Sequence, residues 1–430
     1  MDYFPVVSHP VALYQLMASP FYLLYRYLCA NGHLSFTARF IYMLVGGLIL
    51  AFASMGLYAL FLFIPALFFP LLFHMVSWQQ VHRWAFTLQM SWQTGCHLWV
   101  MYRQYYLQEA ITMRLSITIS SLMLLTQKVT SLALDIHERK VTVISLERGL
   151  KDGFHQPLAY NILTFLSYFM FFPALLGAPL CSFGKFKHQV HKSHMLPVFR
   201  PMCQLIKGCS ITILLQMVCA SISRNIQSSY ALFDCSGMEC VYIMWITAVI
   251  FKLTYYSHWI LDESLFYAAG FETDNHHGAD MHTGFSDFDI FALETTYKIS
   301  FFARSWNKST AIWLKRLIFK RCRIRPLLMT FAFSAWWHGL YPGQVFGFLT
   351  WAMMVQADYR IHEWFGEYKG REYMKYLYRI VTWIQTQLII AFIIVAVEMR
   401  SFGMVLALCS TYNIVFPLLY FIVLLFLTKT

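Results

Sequence analysis

The sequence predicts an all-α protein that crosses a membrane many times. Only 13% of its residues are charged, whereas 58% are hydrophobic and 18% are aromatic. Soluble domains carry roughly 25% charged residues, which they need to cover a surface that faces water. Stretches of about 20 apolar residues, the length of a membrane-spanning helix, recur along the chain. Composition and pattern together exclude a soluble globular protein and favour a polytopic membrane protein.

The candidate spans follow one another in chain order. Residues 40–76 contain no charged side chain and are long enough for two passes. The other charge-free stretches are 84–102, 158–184, 327–357, 380–397 and 401–428. Less clean candidates are 3–25, 115–134, 208–223 and 240–261. We expect about 11 transmembrane helices. Because no hydrophilic stretch reaches the roughly 50 residues of a minimal domain, residues 1–430 are expected to form a single membrane-embedded domain.

The net charge of +12 is concentrated in short loops. Residues 308–325 form a basic run without an acid, and 185–207 form a second one. Short basic loops between spans are typical of the cytoplasmic face of a membrane protein. No nucleic-acid-binding motif accompanies them, so we interpret the charge as a topology signal.

The ten cysteines are scattered, without the paired spacing of a metal site. Cys235 and Cys240 lie close together in a polar segment, where a disulfide is conceivable, although we expect both to be unpaired thiols. The segment HHGADMH (276–282) has metal-ligand chemistry but belongs to a polar loop that contains glycine. We interpret this segment as solvated, and the sequence therefore predicts no metal site.

Ionisable side chains within apolar stretches are functional candidates, because burying them in lipid is costly. The histidines in such surroundings are His74, His97, His258 and His338. For any single one, a hydrogen bond to a neighbouring helix is the simplest explanation. Lys128 and Lys252 also fall within apolar stretches, and we expect their ammonium groups to snorkel towards the helix ends.

His338 has the most unusual surroundings, FSAWWHGLYPGQVFGF. Glycines spaced by four in this segment allow one helix face to approach a neighbour closely. Pro342 is expected to bend the helix just beyond the histidine. If Arg325 marks the cytoplasmic edge, His338 lies roughly 18 Å further along a helix. A neutral imidazole buried at that depth is a competent general base.

The segment FFARSWNKSTAIWLKRLIF places Asn307 just ahead of a basic helical stretch. Other interpretations of this segment stay open. Residues 307–309 have the pattern of an N-glycosylation site, although the basic flank favours the cytoplasmic side, where this modification does not occur. A basic helix at a membrane surface is also typical of a simple anchor.

A Trp-Asn pair, a basic helix and then a histidine deep in an apolar helix resemble the pattern of the membrane-bound O-acyltransferases. The stretch YFMFFPALLGAP resembles the aromatic, proline and glycine segment of that family. Further similarity lies in ITISSLMLLTQKVTSLALDI, FKLTYYSHWILDESLFYAAGF, FAFSAWWHGLYPGQVFGF and TQLIIAFIIVAVE. The resemblance covers most of the chain and is weakest in residues 141–157, 185–207 and 272–289.

The resemblance implies an enzyme of the endoplasmic-reticulum membrane whose helices surround a transmembrane tunnel. It is strongest with members that transfer octanoyl from acyl-CoA to a serine hydroxyl of a peptide hormone. It implies that acyl-CoA enters from the cytosol and the peptide from the lumen, without a permanently bound cofactor. His338 is then the expected general base, and Asn307 its polar catalytic partner.

The chemistry suggests two further sets of residues. Candidates for binding acyl-CoA, chiefly its phosphates, are Arg304, Trp306, Lys308, Lys315 and Arg316. Candidates for the acyl pocket are Phe331, Trp336, Trp337 and Trp351, although core packing explains each of these singly. Ser334 precedes His338 by one helical turn, so a Ser-His acyl-enzyme dyad is conceivable, but an orienting or packing role is simpler.

Two alternative functions differ in kind from peptide acylation. A lysophospholipid acyltransferase of the same family would share Asn307 and His338 and differ only in its acceptor. A transporter or channel would line its pathway with Lys128, Lys252 and His338. The Trp-Asn pair followed by the histidine favours an enzyme, because a transporter has no need for that combination.

Overall fold

A computed structural model describes residues 10–143, 158–177, 179–192, 199–229, 235, 237–271, 289–366 and 372–411. These residues form sixteen α-helices. In chain order they are α1 (Pro10–Ala30), α2 (Phe36–Met55), α3 (Leu60–Met75), α4 (Val81–Met101), α5 (Met113–His137), α6 (Leu158–Phe169), α7 (Phe183–His191), α8 (Phe199–Ser229), α9 (Met238–Ala268), α10 (Ile290–Thr295), α11 (Ile299–Ser305), α12 (Lys308–Leu314), α13 (Pro326–His338), α14 (Pro342–Gly366), α15 (Glu372–Glu398) and α16 (Phe402–Thr411). The all-α prediction is confirmed across the described residues.

Five helical segments among the described residues are long and apolar enough to cross a membrane. They are Phe36–Met75, Met113–His137, Phe199–Ile226, Met238–Ala268 and Glu372–Glu398. The predicted spans 3–25 and 401–428 extend beyond the described residues. The expectation of several passes therefore has support, whereas the number of about 11 stays a prediction.

Two predicted spans are interrupted, and treating each as one helix was wrong. In residues 158–184, α6 ends at Phe169 and the 3₁₀ turn Phe172–Ala174 follows. Residues 327–357 divide between α13 and α14, because Gly339 ends α13 with a left-handed backbone at φ 118°. Pro342 does not bend a continuous helix but starts α14, where its missing N–H needs no partner. Hydropathy conceals such breaks because it reports apolar character and not helix continuity.

The described residues form two compact units. The first lies within Ser8–Ile213 and His258–Ser286, and the second within Leu214–Ser257 and Asp287–Thr430. Every candidate site residue belongs to the second unit, where α14 packs against both α13 and α15. A Cβ on Gly343 or Gly347 of α14 would overlap atoms of Met399 or Val397, at or just beyond the end of α15. The predicted close approach is therefore confirmed at these two glycines, whereas Gly339 ends α13 and does not share their helix face. The single-domain assignment for 1–430 stays a prediction.

Lys128 on α5 stabilises a backbone turn in the first unit. Its Nζ donates hydrogen bonds to the carbonyl oxygens of Phe169 at 3.3 Å and Ala174 at 3.0 Å. These carbonyls lie at the end of α6 and in the turn after it, where a helix provides no partner for them. Because Lys128 is only 5% exposed, the expectation that it snorkels was wrong.

Gly47 on α2 faces the same turn and provides a test of the packing. A Cβ at this position would overlap the carbonyl oxygen of Met170. We expect Gly47→Ala to lower the thermal unfolding midpoint in detergent, because forced overpacking costs typically about 1–3 kcal/mol. Gly95→Ala on α4 is the matched control, since no described atom from another part of the chain lies within 4 Å of its Cβ. Equal midpoints for the two variants would contradict this packing.

Cys235 and Cys240 form a disulfide bond. The expectation of unpaired thiols was therefore wrong. Their Cα atoms lie 5.2 Å apart, within the range that a disulfide can bridge. The histidine-containing segment 276–282 lies outside the described residues.

Candidate active site

Asn307 lies at the junction of α11 and α12. Its backbone is left-handed, with φ 49° and ψ 65°, a conformation that asparagine adopts more readily than most residues. Its Oδ1 accepts a hydrogen bond from the backbone N–H of Thr310 at 3.4 Å and so caps α12. This contact uses the acceptor oxygen and orients the amide, whose NH₂ group supplies the donors.

Asp358 on α14 fixes the start of α11. Its carboxylate is fully buried and accepts hydrogen bonds from the backbone N–H groups of Ile299 at 3.1 Å and Ser300 at 2.9 Å. These N–H groups belong to the first turn of the helix, which has no intrahelical partners for them and carries a partial positive charge. His362 lies 3.2 Å from the same carboxylate and is bonded to the Tyr378 hydroxyl at 2.6 Å. None of these three side chains was a predicted site residue, yet together they position the helix that leads to the site.

Arg304 and Trp306 lie at the other end of α11. The Trp306 ring stacks on Phe302, with 5.4 Å between centroids, and meets the edge of Tyr255 at 5.5 Å. Arg304 is exposed, and its Nη1 donates a hydrogen bond to the Tyr359 hydroxyl at 2.7 Å. The guanidinium therefore has a neutral partner in the structure and is accessible to a charged ligand.

An ion pair that the sequence analysis did not predict joins Lys252 on α9 to Glu294 on α10. Nζ of Lys252 lies 2.6 Å from Oε2 of Glu294 and 3.3 Å from Oε1 of Gln387. The Tyr256 hydroxyl donates to the second carboxylate oxygen at 2.6 Å, and its ring lies 6.0 Å from that of Trp306. Lys252 is 5% exposed, so its expected snorkelling was also wrong. The pair fastens α10 to α9 and α15.

His338 is the last residue of α13. Its ring stacks on Phe348 of α14, with 5.0 Å between centroids, and lies 4.7 Å from the ring of Trp337. The helix that ends there has 13 residues, or roughly 20 Å of rise, in agreement with the expected separation from Arg325. The imidazole is thus half-buried among aromatic rings at a break between two helices.

A row of aromatic rings connects the surroundings of Asn307 with His338. Trp351 is at its centre, since its ring centroid lies 6.3 Å from those of both Phe302 and Phe348. Phe302 stacks on the tryptophan that precedes Asn307, and Phe348 stacks on His338. The row therefore ends at His338 on one side and at Trp306, the neighbour of Asn307 in sequence, on the other.

The other predicted pocket residues differ in their surroundings. Phe331 joins the row, with its ring 5.7 Å from that of Trp351. Trp337 packs against Trp313 of α12 at 5.2 Å, and Trp336 contacts another ring of its own helix at 6.0 Å. The structure thus brings Phe331 and Trp351 together, whereas Trp337 packs α13 against α12 and the contact of Trp336 lies within α13 itself.

The basic run begins on α12 and continues into the π-helical turn Lys315–Phe319. Lys308 and Arg316 are half-buried, whereas Lys315 is exposed. The later basic residues of the run are all exposed: Lys320, Arg321, Arg323 and Arg325. A π-helical turn within a short helix is uncommon and often marks a functional site.

Residues 107–399 match the membrane-bound O-acyltransferase family. The chain belongs to this family. The matched segment includes Asn307 and His338, and the family resemblance is confirmed. This membrane-bound O-acyltransferase is therefore an enzyme that transfers acyl groups.

Two rodent relatives are similar over almost the whole chain. The membrane-bound ghrelin O-acyltransferase of Mus musculus is 49% identical over 98% of this chain and 97% of that protein. The protein of the same name in Rattus norvegicus is 48% identical over 98% of this chain and 97% of its own length. Membrane-bound glycerophospholipid O-acyltransferase 1 of Mus musculus is 28% identical over 80% of this chain and 75% of that protein. Relatives named for a peptide acceptor are thus considerably more similar than this one named for a lipid acceptor.

Proposed function

We propose that this membrane-bound O-acyltransferase transfers an octanoyl group from octanoyl-CoA to a serine hydroxyl near the N-terminus of ghrelin. The observation that carries the proposal is the 49% identity, over 98% of the chain, to the mouse ghrelin O-acyltransferase. Acyl-CoA is the cosubstrate, and the ghrelin precursor peptide is the acceptor. The chemistry needs no permanently bound cofactor.

His338 acts as the general base in this proposal. The serine oxygen attacks the thioester carbonyl carbon while the hydroxyl proton moves to the imidazole, and the C–S bond then breaks to release CoA. The imidazolium returns the proton to the leaving thiolate, so the enzyme is unchanged after each cycle. The position of His338 at a helix break among aromatic rings supports this role, because general-base catalysis requires an accessible but water-poor imidazole.

Asn307 stabilises negative charge on the thioester carbonyl oxygen. Its Oδ1 is engaged by Thr310 at 3.4 Å, so the NH₂ group is the part of the side chain suited to the substrate. An oriented donor aimed at a developing oxyanion in a water-poor site contributes on the order of 3–4 kcal/mol. The left-handed backbone of Asn307 fixes where this donor lies.

The basic residues around α12 bind the phosphates of CoA. Arg304 and Lys308 flank Trp306 and Asn307 in sequence, while Lys315 and Arg316 follow on the π-helical turn. Guanidinium and ammonium groups recognise phosphate through charge-assisted hydrogen bonds. The ring of Trp306 is then a contact for a less polar part of the cosubstrate.

Replacing Lys315 and Arg316 together with glutamine tests this site. We expect KM for octanoyl-CoA to rise by roughly tenfold or more with little change in kcat, because losing even one hydrogen bond to a charged group costs about 1.5–3 kcal/mol, or about tenfold and upwards. The control is the exposed pair Lys320→Gln and Arg321→Gln, which removes the same charge further along the run. If both double variants raise KM equally, general attraction of an anionic substrate explains the basic run and the local site is wrong.

Phe331 and Trp351 provide the acyl pocket walls, with Trp336 and Trp337 as further candidates. Burying six methylenes of an octanoyl chain provides about 5 kcal/mol, at about 0.8 kcal/mol each. One methylene more or fewer changes binding by only about 1–3 kcal/mol, so chain length is selected by how the pocket ends. The contact of Phe331 with Trp351 supports these two as adjacent wall residues.

The remaining features of the proposal concern the membrane. We infer a single membrane-embedded acyltransferase domain over residues 1–430, with about 11 transmembrane helices in the lipid bilayer. The helices surround a tunnel that admits acyl-CoA from the cytosol and the peptide from the lumen of the endoplasmic reticulum. The five apolar helices and the acid-free basic run are the support for this arrangement.

The decisive experiment uses microsomes from cells that express the chain, supplied with octanoyl-CoA and a ghrelin peptide. We expect octanoylation of the peptide and none of a peptide whose acceptor serine is replaced by alanine. Lysophospholipids supplied in place of the peptide test the alternative suggested by the 28% identity to a glycerophospholipid O-acyltransferase. Acylation of lysolipid without acylation of peptide would overturn the proposed acceptor.

A further inference from the structure

Trp351 on α14 carries a buried hydrogen-bond donor for which the described residues provide no partner. The residue is 8% exposed, and within the described residues its indole Nε1 makes no hydrogen bond. The indole N–H is a donor only. Flipping the ring therefore cannot turn it into an acceptor that some neighbouring N–H could satisfy. Buried donors are nearly always paired, and an exception in a native structure calls for an explanation such as a missing ligand.

The location of Trp351 indicates which ligand this is. Its ring is the centre of the row that leads through Phe302 towards Asn307 and through Phe348 to His338. In the proposed reaction, the thioester carbonyl lies between the amide of Asn307 and the imidazole of His338. Because the row ends beside these two residues, a donor at its centre is the one placed to reach a group held between them.

We propose that the Nε1–H of Trp351 donates a hydrogen bond to the carbonyl oxygen of the bound acyl thioester. The inference rests on the proposed acyl-CoA chemistry and adds a second donor to that of Asn307. When the serine attacks, the carbonyl oxygen becomes an oxyanion that both donors stabilise, and the charge is released again when the C–S bond breaks. Two converging donors are the common arrangement for such an oxyanion.

A purely apolar role makes a different prediction for the same side chain. If Trp351 only packs against the methylenes of the acyl group, its shape matters and its N–H does not. Replacing Trp351 with 3-benzothienylalanine separates these roles, because a sulfur atom takes the place of the N–H in a bicyclic ring of nearly the same shape. Trp351→Phe is a second variant that also lacks the donor and retains a planar ring.

The test measures the binding of two unreactive analogues of octanoyl-CoA to the full-length protein in detergent. One analogue carries a ketone in place of the thioester, and the other is the octyl thioether, which has no carbonyl oxygen. We expect the wild-type protein to bind the ketone more tightly than the thioether. The benzothienylalanine protein should bind the thioether as the wild type does and lose roughly 3- to 10-fold of the preference for the ketone, the size of a typical hydrogen bond.

The same preference for the ketone in all three proteins would overturn the proposal. A changed ratio of octanoyl to decanoyl transfer with an unchanged ketone preference would likewise assign Trp351 to packing alone. The binding measurement contains no acyl acceptor, so its outcome does not depend on whether the enzyme acylates a peptide or a lysolipid. Failure of the wild-type protein to bind either analogue would instead contradict the proposed acyl-CoA chemistry and, with it, the role of Trp351.

Discussion

Replacing His338 with alanine is expected to lower peptide octanoylation by about 10²- to 10⁴-fold. The reason is that the serine hydroxyl then has no base at the helix break between α13 and α14. The ring of Phe348 remains, so the site keeps its apolar character and loses only the proton acceptor. The measurement is the initial rate in microsomes at matched protein abundance.

Ser334→Ala is the matched control on the same helix. Ser334 is buried one turn before His338, and its removal changes a small polar group without touching the imidazole. If His338 is a general base, this variant should retain most of the activity. A loss as severe as that of His338→Ala would instead support an acyl-enzyme on Ser334, and full turnover by His338→Ala would exclude the general-base role.

The sequence predicted the helical class because composition and apolar runs report directly on contact with lipid. It did not locate the interruptions within those runs. The end of α13 depends on the left-handed backbone of Gly339, and the end of α6 on a turn whose carbonyls bind Lys128. Both features depend on backbone conformation and on contacts between distant segments, which hydropathy does not describe.

The positions of Lys128 and Lys252 likewise could not be predicted from hydropathy. Lys128 and Lys252 were expected to snorkel, since a long flexible side chain in an apolar stretch reaches the membrane surface at little cost. In the structure, Lys128 is bonded to backbone carbonyls and Lys252 to Glu294, which lies 42 residues away in the chain. A partner this distant has no signature in local sequence, so the prediction could not include it.

The candidate site was predicted from residue type and order, whereas only some of the contacts that support it could be predicted from the sequence. Asp358 and His362 have the four-residue spacing that places two side chains on one helix face, which was a usable signal. The hydrogen bonds that Asp358 accepts from the first turn of α11 had no such signal, because they join segments distant in sequence. The row of rings through Trp351 likewise depends on the packing of α11 against α14, which local sequence does not predict.

Asn307→Asp is expected to lower octanoylation by about 10²- to 10³-fold while leaving the fold intact. Aspartate tolerates the left-handed backbone and can accept the hydrogen bond from Thr310, so the cap of α12 is retained. The carboxylate has no donor for the thioester oxygen and repels its developing charge. Initial rates and thermal unfolding in detergent, measured on the same preparation, separate the loss of catalysis from a loss of stability.

Ser309→Ala is the control that distinguishes the amide from a glycan. This variant destroys the glycosylation pattern of residues 307–309 but keeps Asn307. We expect it to retain activity and to show no change in apparent mass, because the amide of Asn307 acts on the substrate directly. Full activity of Asn307→Asp would make Asn307 a structural cap alone, because capping α12 is the one role that asparagine and aspartate can both perform. Inactive Ser309→Ala with a lower apparent mass would assign the effect of Asn307 to an attached glycan.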